Sequence, residues 1–190
     1  MRAAYHHIEP LVSLAIESGV AGDFIELGVW RGDTFLALAA AAAQAHRHCH
    51  AVDSFQGCGD PGPRDNNQYP RGSLTVNGSS AFRKLVSPLG GAVVVHEGWV
   101  PEVLAEIDAD RFAFAHIDLD HYAPTLDALR WIWPLMPPGG IVACHDYIPG
   151  RDILATGAIS DWMKETGLTM TGWQKSLHAW FVKPETGAVT

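Results

Sequence analysis

Cysteine is scarce in this chain. Three occur in 190 residues, Cys49, Cys58 and Cys144, and no two have C-x-x-C spacing. An odd, scattered set excludes a disulfide framework and a structural zinc site, and Cys144, inside an apolar run, reads as a small core residue. Positive charge is also scarce. Thirteen Lys and Arg face 21 Asp and Glu, a net charge of −8. A nucleic-acid backbone needs clustered basic residues, so no nucleic-acid partner is expected. Long apolar runs are missing too. The longest, Leu36–Ala43, falls far short of the roughly 20 residues that a membrane helix needs. Met1–Pro10 lacks the apolar centre of a signal peptide. No membrane partner is expected, and the chain reads as cytoplasmic.

What is present suits one globular domain over residues 1–190, with 47% apolar and 18% charged residues. Ile8–Val20 has helical spacing of Leu11, Leu14, Ala15 and Ile16. The spacing of apolar residues and glycines then predicts strands at Phe24–Val29, Cys49–Val52, Ala92–His96, Phe112–Asp118 and Ile141–Cys144. Helices are predicted at Thr34–Ala45, Ala81–Val86 (capped by Ser79 or Ser80), Pro101–Ile107, Thr125–Leu135 and Ile159–Thr166. Strands near Leu168–Trp173 and Leu177–Lys183, joined by a short turn, predict an antiparallel hairpin. Alternating strands and helices give the fold class: α/β, a Rossmann-like, doubly wound, mostly parallel sheet closed by that hairpin. Ser54–Ser80, rich in Gly, Pro, Asn and Asp, reads as a long exposed loop. Loops of that length are commonly functional, and this one is expected to be mobile without ligands and to close over a bound one.

Three segments carry chemistry. Glu26-Leu27-Gly28-Val29-Trp30-Arg31-Gly32 joins the first strand to a helix. Gly28 and Gly32 let the backbone approach a ligand at the carboxyl ends of the strands. Their G-x-x-x-G spacing is not that of a dinucleotide site, which makes a nicotinamide dehydrogenase the least favoured reading. Asp53 ends the second strand, where a carboxylate can accept hydrogen bonds from both hydroxyls of a ribose. Lastly, His116–Tyr122 and Ala143–Tyr147 end the fourth and fifth strands, which should be neighbours, so Asp118 and Asp146 converge. Two adjacent carboxylates resist joint ionisation unless a hard cation intervenes. His145 would add a nitrogen ligand, suiting Mn²⁺, Fe²⁺ or Zn²⁺. The plainer alternative is that these acids bind a cofactor amine and cap loops. His46, His48 and His50 are expected to be solvated at a helix end, His6-His7 to be exposed, and Trp131 and Trp133 to pack the core. Tyr122 and Tyr147 either line a pocket or only pack.

Taken together, Phe24–Gly32, Asp53-Ser54-Phe55-Gln56-Gly57, Glu97-Gly98-Trp99, Asp118–Tyr122, Pro138-Gly139-Gly140 and His145-Asp146-Tyr147 resemble the macrocin O-methyltransferase group. Its members are metal-dependent class I methyltransferases acting on sugar hydroxyls of natural products. The resemblance runs from about Gly22 to Tyr147. It implies that S-adenosylmethionine binds against Glu26, Gly28, Trp30, Gly32, Asp53, Ser54, Gly98, Trp99 and Asp118, with Trp99 near the adenine. It implies that Asp118, His145 and Asp146 hold a divalent metal, Mg²⁺ first and Mn²⁺ second. His145 departs from the group's usual Asp-Asp pair, which leaves the metal's identity open. Group members also carry more covering helix before the first strand, so the pocket is expected to be more open, or completed by the Ser54–Ser80 loop or a second copy of the chain.

The implied partner is a small hydroxylated acceptor. In the distantly similar catechol O-methyltransferases, the position three residues beyond the first metal-binding acid holds a lysine that takes the acceptor's proton. That position is His121 here, and imidazole suits the task; Asp120 and His145 are rivals for it. Two other functions stay open: a metal-dependent, hydroxylase-like enzyme on the same fold, and a non-catalytic S-adenosylmethionine-binding module.

Overall fold

The computed structural model describes residues 5–185; residues 1–4 of the N-terminal segment lie outside it. Seven strands form one sheet: β1 (Asp23–Leu27), β2 (Cys49–Asp53), β3 (Val93–Glu97), β4 (Phe112–Ile117), β5 (Ile141–Cys144), β6 (Gly172–Gln174) and β7 (His178–Val182). Their order is β3-β2-β1-β4-β5-β7-β6. The first five are mutually parallel. Strand β7 runs antiparallel to β5 and to β6, so the closing hairpin adds the expected antiparallel edge. The chain reverses its direction of travel across the sheet at β1 and β4. Such a switch point leaves a crevice at the strand carboxyl ends.

Five α-helices cover the sheet: α1 (Glu9–Glu17), α2 (Asp33–Gln44), α3 (Ser80–Val86), α4 (Tyr122–Leu135) and α5 (Leu154–Thr166). Parallel strands covered on both faces should be apolar throughout, and β4 and β5 are buried at every position. Helix α2 buries Phe35, Leu38, Ala39 and Ala42, one stripe at helical spacing, in a core layer that includes α1 and Phe24, Ala51 and Phe114 of the sheet. Removing a ring such as Phe35 would cost about 3–5 kcal/mol. The opposite face packs Ile25, Val52, Ile117 and Val142 under α4 and α5. Trp131 and Trp133 pack against that layer, as expected. Among the described residues no helix is long and apolar enough to cross a membrane.

Four local readings are corrected. The helix expected over Pro101–Ile107 is shorter, a 3₁₀ helix over Glu102–Glu106. Helix α5 begins at Leu154, five residues before Ile159, because Leu154, Ala155 and Ala158 are buried and give it a packing face. Ser79 occupies the N-cap of α3 without capping it; its hydroxyl donates to Glu97 instead. His50 is not solvated. It lies inside β2, 4% exposed, between His96 and Asp23.

The Ser54–Ser80 segment has no helix or strand before Ser80, yet it is tied at many points. It folds back on itself through Cys58 N–H to the Ser73 carbonyl (2.7 Å) and Gly72 N–H to the Cys58 carbonyl (2.8 Å). Arg64 anchors its middle to α5 through Asp161 (3.1 Å) and to the segment just before that helix through Asp152 (2.8 Å), with its guanidinium 4.6 Å from the Tyr122 ring. Asp65 accepts the N–H of Tyr122 at 2.7 Å.

Candidate active site

A cavity of about 360 Å³ opens at the carboxyl ends of β1, β2 and β4. That volume suits a small-molecule site. Its walls come from three sources: the turn after β1 (Gly28, Trp30), the ends of β2 to β5, and the long loop (Gly57 to Asp60, Tyr69, Leu74). The loop forms a wall because its ties bend it back over the strand ends.

The first half of the cavity surrounds Asp53. Strand β2 delivers this carboxylate to the rim, where Oδ2 accepts the N–H of Trp30 (2.8 Å) and Oδ1 that of Phe55 (2.6 Å). It therefore caps both neighbouring turns while still facing the cavity. Trp30 holds an unusual backbone for a bulky residue, φ 45°. Ser54, Gly98 and Trp99 stand beside Asp53 in the lining. Gly28, at φ 91°, has no room for a side chain: a Cβ there would fall 1.9 Å from the Asp118 carbonyl oxygen.

The second half gathers charge. The ends of β4 and β5 bring Asp118 and Asp146 together with His145, as expected, and one donor atom from each lies within 4.8 Å of the others. His145 Nδ1 stands 3.0 Å from Asp118 and 3.2 Å from Asp146. Burial alone would lower the His145 pKa, but the Asp118 hydrogen bond and the surrounding carboxylates outweigh it and push it up to about 9. In turn, burial pushes Asp118 up, and its bond to His145 more than reverses this, leaving it low. Asp120 is pushed up to about 8 by burial, by Asp118 and Asp146, and by its hydrogen bond with Asp146. Asp146 is also raised, mainly by burial. Asp120 and Asp146 both have φ 60°. Two carboxylates in the left-handed region beside an imidazole form a charge-dense site. Two carboxylates and one imidazole also match the donor set of a divalent metal.

His121 lines the same half but is only 3% exposed. Its Nε2–H donates to the Tyr69 carbonyl at 2.9 Å. A carbonyl only accepts, so that bond leaves Nδ1 of the neutral ring as a proton acceptor.

Two expected cofactor contacts are not in the lining. Glu26 is buried behind the cavity, 2.7 Å from His116 Nδ1, and burial raises its pKa. Gly32 starts α2 and packs on Phe82 instead. Tyr122 and Tyr147 also do not line the cavity, while Cys58 and Tyr69 do. Cys58 and Tyr69 were missed because an aperiodic loop gives no sign of which side chains turn inward.

Comparison with known proteins fits this geometry. A family model described as a methyltransferase domain matches residues 25–147. The 8-demethyl-8-(2,3-dimethoxy-alpha-L-rhamnosyl)-tetracenomycin-C 4'-O-methyltransferase of Streptomyces olivaceus is 30% identical over 155 residues, covering 74% of this chain and 59% of the relative. The chain thus spans about three-fifths of that relative's length. The O-methyltransferase NovP has the same fold, with a TM-score of 0.78 at 22% identity over 95% of this chain and 79% of its own. So does TomG from Streptomyces achromogenes, solved with S-adenosylmethionine, at a TM-score of 0.59 and 13% identity over 95% of this chain and 87% of its own.

Proposed function

This chain belongs to the methyltransferase-domain family, and from that premise we propose that it is an S-adenosylmethionine-dependent O-methyltransferase. Its acceptor is a hydroxyl of a small molecule such as a natural-product sugar, the kind of acceptor named for the Streptomyces olivaceus relative. One observation carries the reading: a single cavity joins Asp53 to the Asp118–His145–Asp146 cluster.

Asp53 binds the cofactor's ribose, Gly28 and Gly98 line the wall beside it, and Trp99 covers the adenine. Trp30 and Ser54 complete that wall. When bound, the cofactor supplies an electrophilic methyl group on sulfur. Asp118, His145 and Asp146 would hold a divalent metal, which when bound lowers the pKa of the acceptor hydroxyl and fixes its orientation. Methyl transfer is then mainly a matter of alignment. Tyr69 and Cys58 wall the acceptor side and exclude water. Nδ1 of His121 accepts the acceptor's proton. Asp120 is the rival, because its carboxyl lines the same half of the cavity one residue before His121.

The test is calorimetry with S-adenosylhomocysteine, followed by mass spectrometry of methyl transfer to a panel of sugars with vicinal hydroxyls. Binding of the cofactor product, and transfer that chelator abolishes and Mg²⁺ or Mn²⁺ restores, is the expected result. Absence of cofactor binding would sink the proposal. Transfer undiminished in excess chelator would remove the metal from it.

A further inference from the structure

Three buried side chains run in a line behind the acid–imidazole cluster. Glu26 on β1 and His116 on β4 are direct register partners. They are 1% and 2% exposed, and His178, at the start of β7, is 4% exposed. His116 Nδ1 lies 2.7 Å from Glu26 Oε1, and its Nε2 lies 3.3 Å from His178 Nε2. His178 Nδ1 donates to the Ser176 carbonyl at 3.0 Å. A carbonyl only accepts, so Nδ1 carries the His178 proton and Nε2 receives the one on His116. His178 is held at both ring nitrogens. Its ring packs on His145 with centroids 4.7 Å apart and planes tilted by 54°.

This line is costly. Glu26 Oε2 is buried without a hydrogen-bond partner. A well-packed apolar pair in place of Glu26 and His116 would relieve that cost. None of the three side chains lines the cavity. The last of them, His178, packs on His145, the residue that separates this cluster from an all-carboxylate one.

We infer that this buried line holds His145 as a fixed nitrogen donor, and that the site consequently selects a nitrogen-preferring transition-metal dication over Mg²⁺. The inference rests on reading the cluster as a metal site. Mg²⁺ takes oxygen ligands in near-ideal octahedra and keeps its waters. Imidazole suits the later first-row dications far better. Asp118 and Asp146 alone would serve either class, so the choice falls to His145. A partly exposed imidazole on an open rim could swing out of the cavity and leave an oxygen-only site. His178 on its ring face, with Asp118 and Asp146 at Nδ1, keeps it turned inward. His178 and His116 are thus positioning residues for metal choice.

The experiment uses the 190-residue chain stripped with chelator. Co²⁺ is titrated in, followed by its visible spectrum and by calorimetry, with Mg²⁺ as competitor. Co²⁺ should bind with a nitrogen-ligand spectrum and be displaced only by a large excess of Mg²⁺. His145→Asp should shrink that excess and change the spectrum. His178→Phe keeps a ring of similar size but loses both nitrogens. It should weaken Co²⁺ roughly 10–100-fold, the usual range for outer ligand supports, while binding of S-adenosylhomocysteine is unchanged. Should His178→Phe fail to fold, His116→Gln tests the same line one residue further back. Equal competition by Mg²⁺, an unchanged preference in His145→Asp, or wild-type Co²⁺ binding in the His178 or His116 variant each overturns the inference. No Co²⁺ binding by the wild type overturns it too. Intact S-adenosylhomocysteine binding in that last case leaves the methyltransferase reading standing.

Discussion

His121 has two separable duties, and two substitutions can pull them apart. Its Nε2–H ties the long loop at the Tyr69 carbonyl, 2.9 Å away, and its other nitrogen is the proposed proton acceptor. His121→Ala removes both. Loss of a general base costs about 10²–10⁴-fold in kcat. Loss of the tie removes one neutral hydrogen bond, worth about 0.5–1.5 kcal/mol net. At about 1.4 kcal/mol per decade, that is roughly a two- to tenfold fall in the closed population of the loop, read as a rise in acceptor KM. His121→Gln separates the terms. Its amide nitrogen reaches about as far as Nε2 and still donates to Tyr69, but an amide has no basic nitrogen. The expectation is that kcat falls as far in His121→Gln as in His121→Ala, while KM rises only in His121→Ala. Initial rates of S-adenosylhomocysteine production at varied acceptor concentration measure both. A His121→Gln enzyme with wild-type kcat would refute the assignment and transfer the proton to Asp120.

Three further outcomes are expected. Asp53→Ala removes a charged acceptor worth roughly 1.5–3 kcal/mol to the ribose, so S-adenosylhomocysteine should bind about one to two decades more weakly in calorimetry; unchanged affinity would take Asp53 out of the site. Arg64→Ala cuts the loop's ties to Asp152 and Asp161, so limited proteolysis within residues 54–79 should accelerate, and equal cleavage rates would show that the loop is held elsewhere. The metal-free protein should lose stability as pH rises from 6.5 to 9. His145 (up to about 9) and Asp120 (up to about 8) both hold protons in the fold that the unfolded chain has released at those pH values. Their contribution is present at the low end of the window and fades through the high end. A melting temperature in chelator that stays flat or climbs over that range would contradict these protonation states.

The frame was legible because each element announces itself locally. The apolar runs of β1, β4 and β5, the Leu- and Ala-rich stripe of α2 and the Gly28 turn all lie within a few residues. Asp118 and Asp146 could be paired from sequence because consecutive parallel strands tend to be neighbours, and β4 and β5 are. The failures share a cause. The resemblance and its place at a strand end put Glu26 against the cofactor, but strand alternation turns it toward His116, a partner 90 residues away. His178 sits in a hairpin expected only to close the sheet, and its contact with His145 depends on β7 lying against β5. Histidines 46, 48 and 50 were read as one group because they alternate. Alternation is itself a strand signal, and β2 takes in His50 while His48 stays outside it. Arg64 and Tyr69 lie in a stretch without period, where neither helix nor strand spacing says which side chain turns inward.

The turn at Gly28 has a consequence for how this protein tolerates change. Its N–H is bonded to β2 at Val52, and the adjoining Leu27 carbonyl accepts the N–H of Asp118. A methyl group at position 28 would therefore press on the backbone of a proposed metal ligand, at a distance of 1.9 Å from its carbonyl oxygen. The two halves of the cavity share one rigid hinge point. In a saturation library scored separately for cofactor and metal binding, substitutions at Asp53 should cost the first and those at His145 the second. Position 28 should cost both at once, a pleiotropic site in which no trade between the two ligands can be selected.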